Sequence, residues 1–267
     1  MILKGGRVNM ALPEIIKELL ENGVHFGHLS KHWNPKMKQF IFGKKKNIYI
    51  IDLEKTAEKI AEAKDFVKQV ALSGEKILFV ATKKQLRDLV KELAVSCNMP
   101  YVVERWVGGL LTNFSTIRGR VNRYVELLQQ RESGEFEKIS KKEAIRFNRE
   151  IERMEKKYSG VAALESLPGC VIIVDPKKEF ACAREVNKLG LPIVALIDTD
   201  ANPEIISYPI PGNDDSIKSV KYIISCLVEA INSGLKDDAK GLEEDKTEVE
   251  NLETNNVDSE VPLENKE

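Results

Sequence analysis

Residues 170–197, CVIIVDPKKEFACAREVNKLGLPIVALI, decide the fold. Cys170–Val174 and Pro192–Ile197 are near-continuous apolar runs bounded by turn residues, the pattern of strands covered on both faces. Lys178–Leu189 between them reads as a helix, so the segment is a strand–helix–strand crossover with parallel strands. The same alternation continues on both sides. Asn47–Ile51, Lys76–Ala81 and Tyr101–Val103 are predicted strands. Apolar residues at 57, 60, 63, 67 and 70 predict a helix over Lys55–Leu72, and Leu86, Leu89, Val90 and Leu93 predict another. A helix over Pro13–Asn22, ended by Gly23, opens the series, and one over Ser216–Ile231 closes it. The expected class is α/β, a parallel sheet flanked by helices.

Residues 117–158 break this rhythm with dense charge and no strand signal. Ile117, Val121, Tyr124 and Leu128 repeat at heptad spacing, as do Phe147, Ile151, Met154 and Tyr158. With Ser133-Gly134 as a turn between them, the two halves predict an antiparallel coiled-coil hairpin inserted into the α/β domain. That domain is then discontinuous, 10–116 plus 159–233. Residues 234–267 are strongly acidic and without apolar period, and are expected to be a disordered tail.

The formal charge of −1 hides a division. Asn232–Glu267 hold 12 acidic and 4 basic residues of the chain's 42 and 41, leaving 30 acidic and 37 basic residues in 1–231. A basic body carries an acidic end. The four cysteines show no C-x-x-C spacing and read as free thiols of a reducing compartment. No apolar run reaches the roughly 20 residues of a membrane span, and the N-terminus lacks a signal-peptide core, so a cytoplasmic chain is expected. "MALPE" at Met10 reads as the natural start.

Asn22–Ile51 is the most informative segment for function. Its 30 residues contain six lysines, three histidines and no aspartate or glutamate. Lysines displace counterions from phosphates, and rings stack on unpaired bases. Trp33, Phe40 and Phe42 are expected to be core residues beneath a lysine face. His25, His28 and His32 lack a fourth ligand nearby, so no metal is expected. Thr82-Lys83-Lys84 follows a strand and opens a helix, where α/β enzymes hold phosphates, yet no phosphate-loop glycine pattern accompanies it. Asp198-Thr199-Asp200 stands at another strand end, where carboxylates cap turns or hold a hydrated cation. No catalytic residues and no cofactor are expected. The hairpin carries twelve arginines and lysines, Arg118 to Lys157, against eight glutamates, a plausible arm for RNA or protein.

Three blocks closely resemble the small-subunit ribosomal protein family two. They are LLENGVHFGHLSKHWNPKMKQFIFGKKKNIYIIDLEKT from Leu19, RWVGGLLTNFSTI from Arg105, and LPGCVIIVDPKKEFACAREVNKLGLPIVALIDTDANPEIISYPIPGNDDSIKSV from Leu167. The resemblance covers about residues 10–232. It implies a doubly wound parallel sheet with a protruding coiled coil, a ribosome-bound role in translation, contact with 16S-type ribosomal RNA and neighbouring small-subunit proteins, and help in docking ribosomal protein S1. Phe180 departs from the histidine many relatives carry, and Asp200-Ala201 from asparagine followed by serine or cysteine. Hence no metal or polar contact is carried over to those positions.

The RNA-binding residues expected are Lys31, His32, Lys36, Lys38, Lys44, Lys45, Lys46, Arg105, Arg118 and Arg120. Trp106, Gly108, Gly109, Thr112 and Asn113 are expected to hold the sheet-to-hairpin junction. Two other classes compete with this reading. An α/β nucleotide-binding enzyme would show saturable binding of a small phosphate ligand, and a coiled-coil adaptor outside the ribosome would sediment apart from small subunits.

Overall fold

In a computed structural model that describes residues 12–257, with side chains for 14–238, the chain begins with α1 (Leu12–Glu21). Then follow β1 (Phe26–Leu29), β2 (Ile41–Lys45), β3 (Ile48–Ile51), α2 (Leu53–Leu72), β4 (Ile77–Val80), α3 (Arg87–Ser96) and β5 (Tyr101–Val102). The second half contains α4 (Phe114–Glu132), α5 (Lys141–Tyr158), β6 (Cys170–Val174), α6 (Phe180–Lys188), β7 (Ile193–Ile197), β8 (Tyr208–Pro211) and α7 (Ile217–Val257). The expected start at Met10 lies outside the described residues, as does 258–267.

Five strands form a parallel sheet in the order β5-β4-β6-β7-β8. Alternate residues of each strand feed two separate cores. Ile77, Phe79, Ile172, Val194 and Leu196 pack with α2, α3 and α7 on one face. Leu78, Val80, Val171, Ile173, Ala195 and Ile197 pack with α6 and the roots of α4 and α5 on the other. Both faces being covered is why these strands are apolar throughout.

Sequence reasoning missed three strands, each for a physical reason. β8 reads YPIP, and proline argues against a central strand. Here it pairs only with β7, at the sheet edge. Gly212 N–H donates to Ile197 C=O at 2.9 Å, so the even-numbered residues point their donors at β7. Pro209 and Pro211 fall on the outward side, where no N–H is needed. β1 and β2 flank β3 in a small antiparallel sheet, the basic ribbon, built from the segment that showed no period. Register shifts within both pairings account for the missing alternation. Lys46 and Asn47 both have positive φ, 48° and 66°, between paired Lys45 and Ile48, the backbone of a two-residue hairpin turn.

In α4 and α5 the buried residues include Ile117, Val121, Tyr124, Leu127, Ile151 and Tyr158. Leu127 takes the buried position expected of Leu128, which packs at its margin. Gly134, at φ 75°, turns the chain after α4, and the Ser140 hydroxyl caps α5 by accepting the Glu143 N–H at 3.3 Å. Helix α7 does not stop at Ile231 as expected but continues to Val257. Packing carries the helix past its expected end, since Leu235 still lies against the core and Asp237 pairs with Lys68 of α2 at 2.9 Å, and the leucine, lysine and glutamate content of the sequence beyond favours its propagation. Cys97, Cys170, Cys182 and Cys226 are free thiols. Among the described residues no helix is long and apolar enough to cross a membrane.

Candidate nucleic-acid interface

The ribbon presents its cations at one end. Lys44, Lys45 and Lys46 are all exposed around the hairpin turn, and no carboxylate pairs with them among the described residues. Lys31, His32 and Lys38 are exposed nearby in sequence, on the segment between β1 and β2. Lys36 differs, because its ammonium pairs with Glu204 from the β7–β8 connection. Of the aromatics, Phe40 is buried and Trp33 is half-buried against Tyr49, with ring centroids 5.0 Å apart. Phe42 corrects the expectation of a core residue. It is 80% exposed, because it projects from the open face of an edge strand, two residues before Lys44.

This ribbon is seated on the C-terminal end of the parallel sheet. A Cβ on Gly27 would stand 2.5 Å from Thr199 Cγ2, so only glycine allows the approach. His28 N–H donates to Thr199 Oγ1 at 2.9 Å and to Asp198 Oδ1 at 3.2 Å, and Asn34 N–H donates to Thr199 C=O at 2.8 Å. The His28 imidazole lies between two carboxylates, Nδ1 2.9 Å from Asp198 and Nε2 3.6 Å from Asp215. Its hydrogen bond to Asp198, opposed by partial burial and helped by the neighbouring carboxylates, raises its pKa to about 9. At neutral pH it is therefore a cation that ties β1 to the ends of β7 and β8.

Below it, Lys83 Nζ sits 2.7 Å from Asp214, 2.8 Å from Asp215 and 2.9 Å from Asp175. Burial opposes the lysine charge, but the three carboxylates outweigh it and hold its pKa above the ordinary value. Asp214 is buried, and burial together with Asp175 and Asp198 pushes its carboxyl upward against the pull of Lys83. The crevice between the ends of β4 and β6, where the sheet's winding reverses, is the usual ligand position in such folds. Here Lys83 and Asp175 fill it, and Thr82 donates through N–H (3.0 Å) and hydroxyl to buried Glu179. Thr82 and Lys83 are thus an internal brace, while Lys84 is exposed. Among the described residues no group of histidine, cysteine and carboxylate side chains has the arrangement of a metal site.

The junction to α4 is organised by a residue that sequence reading did not single out. Glu185 of α6 accepts from Trp106 Nε1 (3.0 Å), Gly109 N–H (2.7 Å), Leu111 N–H (3.3 Å), and Thr112 N–H (3.3 Å) and hydroxyl (3.2 Å). Burial disfavours its charge, but these donors prevail and keep its pKa below the usual glutamate value. Gly109 has φ +84°, which turns its N–H toward the carboxylate, whereas Gly108 is exposed and open. Asn113 stands before α4 without a side-chain capping bond. Arg118 is half-buried, and its guanidinium donates to Ala162 C=O (2.8 Å) and Leu164 C=O (2.9 Å), so it fastens the root of α4 to the body. Arg105 and Arg120 are exposed.

The acidic partners Glu185, Asp198, Asp214 and Glu204 lie about 70–170 positions from the groups they hold. Asp198 follows β7, a strand legible in the sequence, and Asp214 precedes the last helix, which is the signal that sequence offered.

Comparison with known proteins bears on most of the described region. A family model described as Ribosomal protein S2 matches residues 19–234. A small ribosomal subunit protein uS2 of Dictyoglomus thermophilum is 47% identical over 92% of this chain and 98% of its own length. Proteins of the same description from Dictyoglomus turgidum and Coprothermobacter proteolyticus are each 48% identical over 82% of this chain, covering 89% and 82% of theirs.

Proposed function

The chain belongs to the ribosomal protein S2 family, so it is a small-subunit ribosomal protein and not an enzyme, and on that premise we propose that its basic ribbon binds ribosomal RNA. The observation that carries this reading is the cluster of Lys44, Lys45 and Lys46, exposed without carboxylate partners at one turn. The latch of His28, Lys83 and their aspartates supports it, since a cationic tip gains affinity when its approach is fixed before binding. Lys31, Lys38, Arg105 and Arg120 extend the cationic surface, and exposed His32 adds a ring and a hydrogen-bonding edge. Lys36 and Arg118 act within the protein instead.

The RNA is 16S-type ribosomal RNA, bound within the small subunit in the cytoplasm. Residues 12–116 with 159–233 form the α/β body, and 117–158 form a coiled-coil arm inserted into it. Along α5, four cations (Lys142, Arg146, Arg149 and Arg153) line one cleft with a single carboxylate, Glu143, a net positive lining that suits contact with a polyanion. Neighbouring small-subunit proteins also bind, and the chain supports docking of ribosomal protein S1. An apolar cleft of about 290 Å³, lined by Ile16, Leu20, Phe42, Ile50 and Leu53, fits such a protein contact.

Replacing Lys44, Lys45 and Lys46 together by glutamine tests the central claim. Each lost phosphate contact flattens the salt dependence of RNA affinity by about 0.7–0.9 in log–log slope, so a decrease of about two is expected. An unchanged slope, with the variant sedimenting with small subunits as the parent does, would refute it.

A further inference from the structure

We propose that the outer face of α6 is a second RNA-contact site, where an unpaired base stacks on Phe180 and Arg184 and Lys188 hold the flanking phosphates. This rests on the RNA-binding reading above but uses a different surface. Phe180 is 57% exposed, and Arg184 and Lys188 follow it at four-residue spacing, one helical turn apart, on the same face. With Thr112 and Ala181 they border a cavity of about 380 Å³, within the size range of small-ligand sites.

The charge around this ring is sorted in an unusual way. The two glutamates of the segment both turn inward. Glu179 is buried and accepts from Thr82, and Glu185 at the cavity floor is covered by five donors from the junction loop. Asp200 is paired with Lys177 at 2.8 Å. What faces outward is a bare aromatic ring with Lys178, Arg184 and Lys188, all exposed. An exposed ring on a cationic helix matches single-stranded nucleic acid, whose bases offer π-faces and whose backbone offers charge. A duplex hides its base faces and cannot use Phe180.

The test uses the full chain with a short oligouridine strand and a blunt RNA duplex, comparing the parent with Phe180→Ala, Phe180→Trp and the Lys44, Lys45, Lys46 glutamine variant. Phe180→Ala should weaken binding of the single strand about tenfold, within the effect of losing one stacked base, and leave the duplex unaffected. Phe180→Trp should restore affinity, with its added emission quenched by the strand. Equal affinity of Phe180→Ala and parent for the strand would overturn the proposal, as would an equal loss for strand and duplex. Quenching by a polyglutamate peptide but not by RNA would overturn it in favour of a protein-docking face. If only the lysine variant loses RNA, this site falls while the ribbon stands; if the parent binds neither RNA, both fall.

Discussion

Replacing Lys83 by methionine should destabilise the fold by about 3–5 kcal/mol at pH 9, where the Asp214 carboxyl is ionised, the cost of stranding a buried charge when its partner is removed. The geometry sets that magnitude. Lys83 faces three carboxylates at 2.7–2.9 Å; Asp214 is buried and Asp175 nearly so, while Asp215 is exposed and contributes little. Methionine is an unbranched chain only one atom shorter than lysine, so most of the packing is kept and the loss is chiefly electrostatic. In urea denaturation the midpoint should fall with unchanged slope, and the unfolded fraction should rise by about two to four orders of magnitude. Adding Asp214→Asn to Lys83→Met should recover much of the loss, because the uncompensated charge is then gone. The pH dependence follows from the sign of the shift. Burial and its acidic neighbours already raise the Asp214 carboxyl to about 8, and losing Lys83 raises it further, so the deficit opens as pH rises through 8 and shrinks below it, where both folded proteins hold the proton. A loss below about 1 kcal/mol, or strict additivity of the two substitutions, would refute the brace.

His28 has a folded pKa raised to about 9, so its contribution is complete below its unfolded pKa of about 6.5 and disappears as pH rises through 9. His28→Ala should therefore lower the thermal midpoint at pH 6 and leave it nearly unchanged at pH 10. Glu185→Gln should cost about 1–3 kcal/mol, since a neutral amide satisfies fewer of the five donors. A shift in Trp106 fluorescence would report the loosened junction. Gly27→Ala should cost about 1–3 kcal/mol through the clash with Thr199, and hydrogen exchange should show the ribbon opening before the sheet.

The central sheet was legible because burial on both faces leaves its mark in every residue. Cys170–Val174 occupies the expected bounds, and Ile193–Ile197 differs from its expected strand by one residue. β8 was hidden by prolines that only an edge position tolerates. The ribbon was hidden by irregular register, although its turn residues Lys46 and Asn47 close a regular hairpin. The cationic character of 22–51 was evident from composition. Which of those cations are free depends on acids brought in by the tertiary fold. Glu204 pairs with Lys36 and Asp198 with His28, and outside that segment carbonyls from beyond α5 hold Arg118.

The prolines of β8 have one more effect, on the molecule before it meets any partner. A terminal strand with regular outward amides is a template on which another chain can add, and polymers grow that way. Pro209 and Pro211 leave that border without donors where they stand, and the opposite border, β5, is only two residues long. Along the two borders of the parallel sheet, a newly made copy thus has little means of joining its own kind strand to strand.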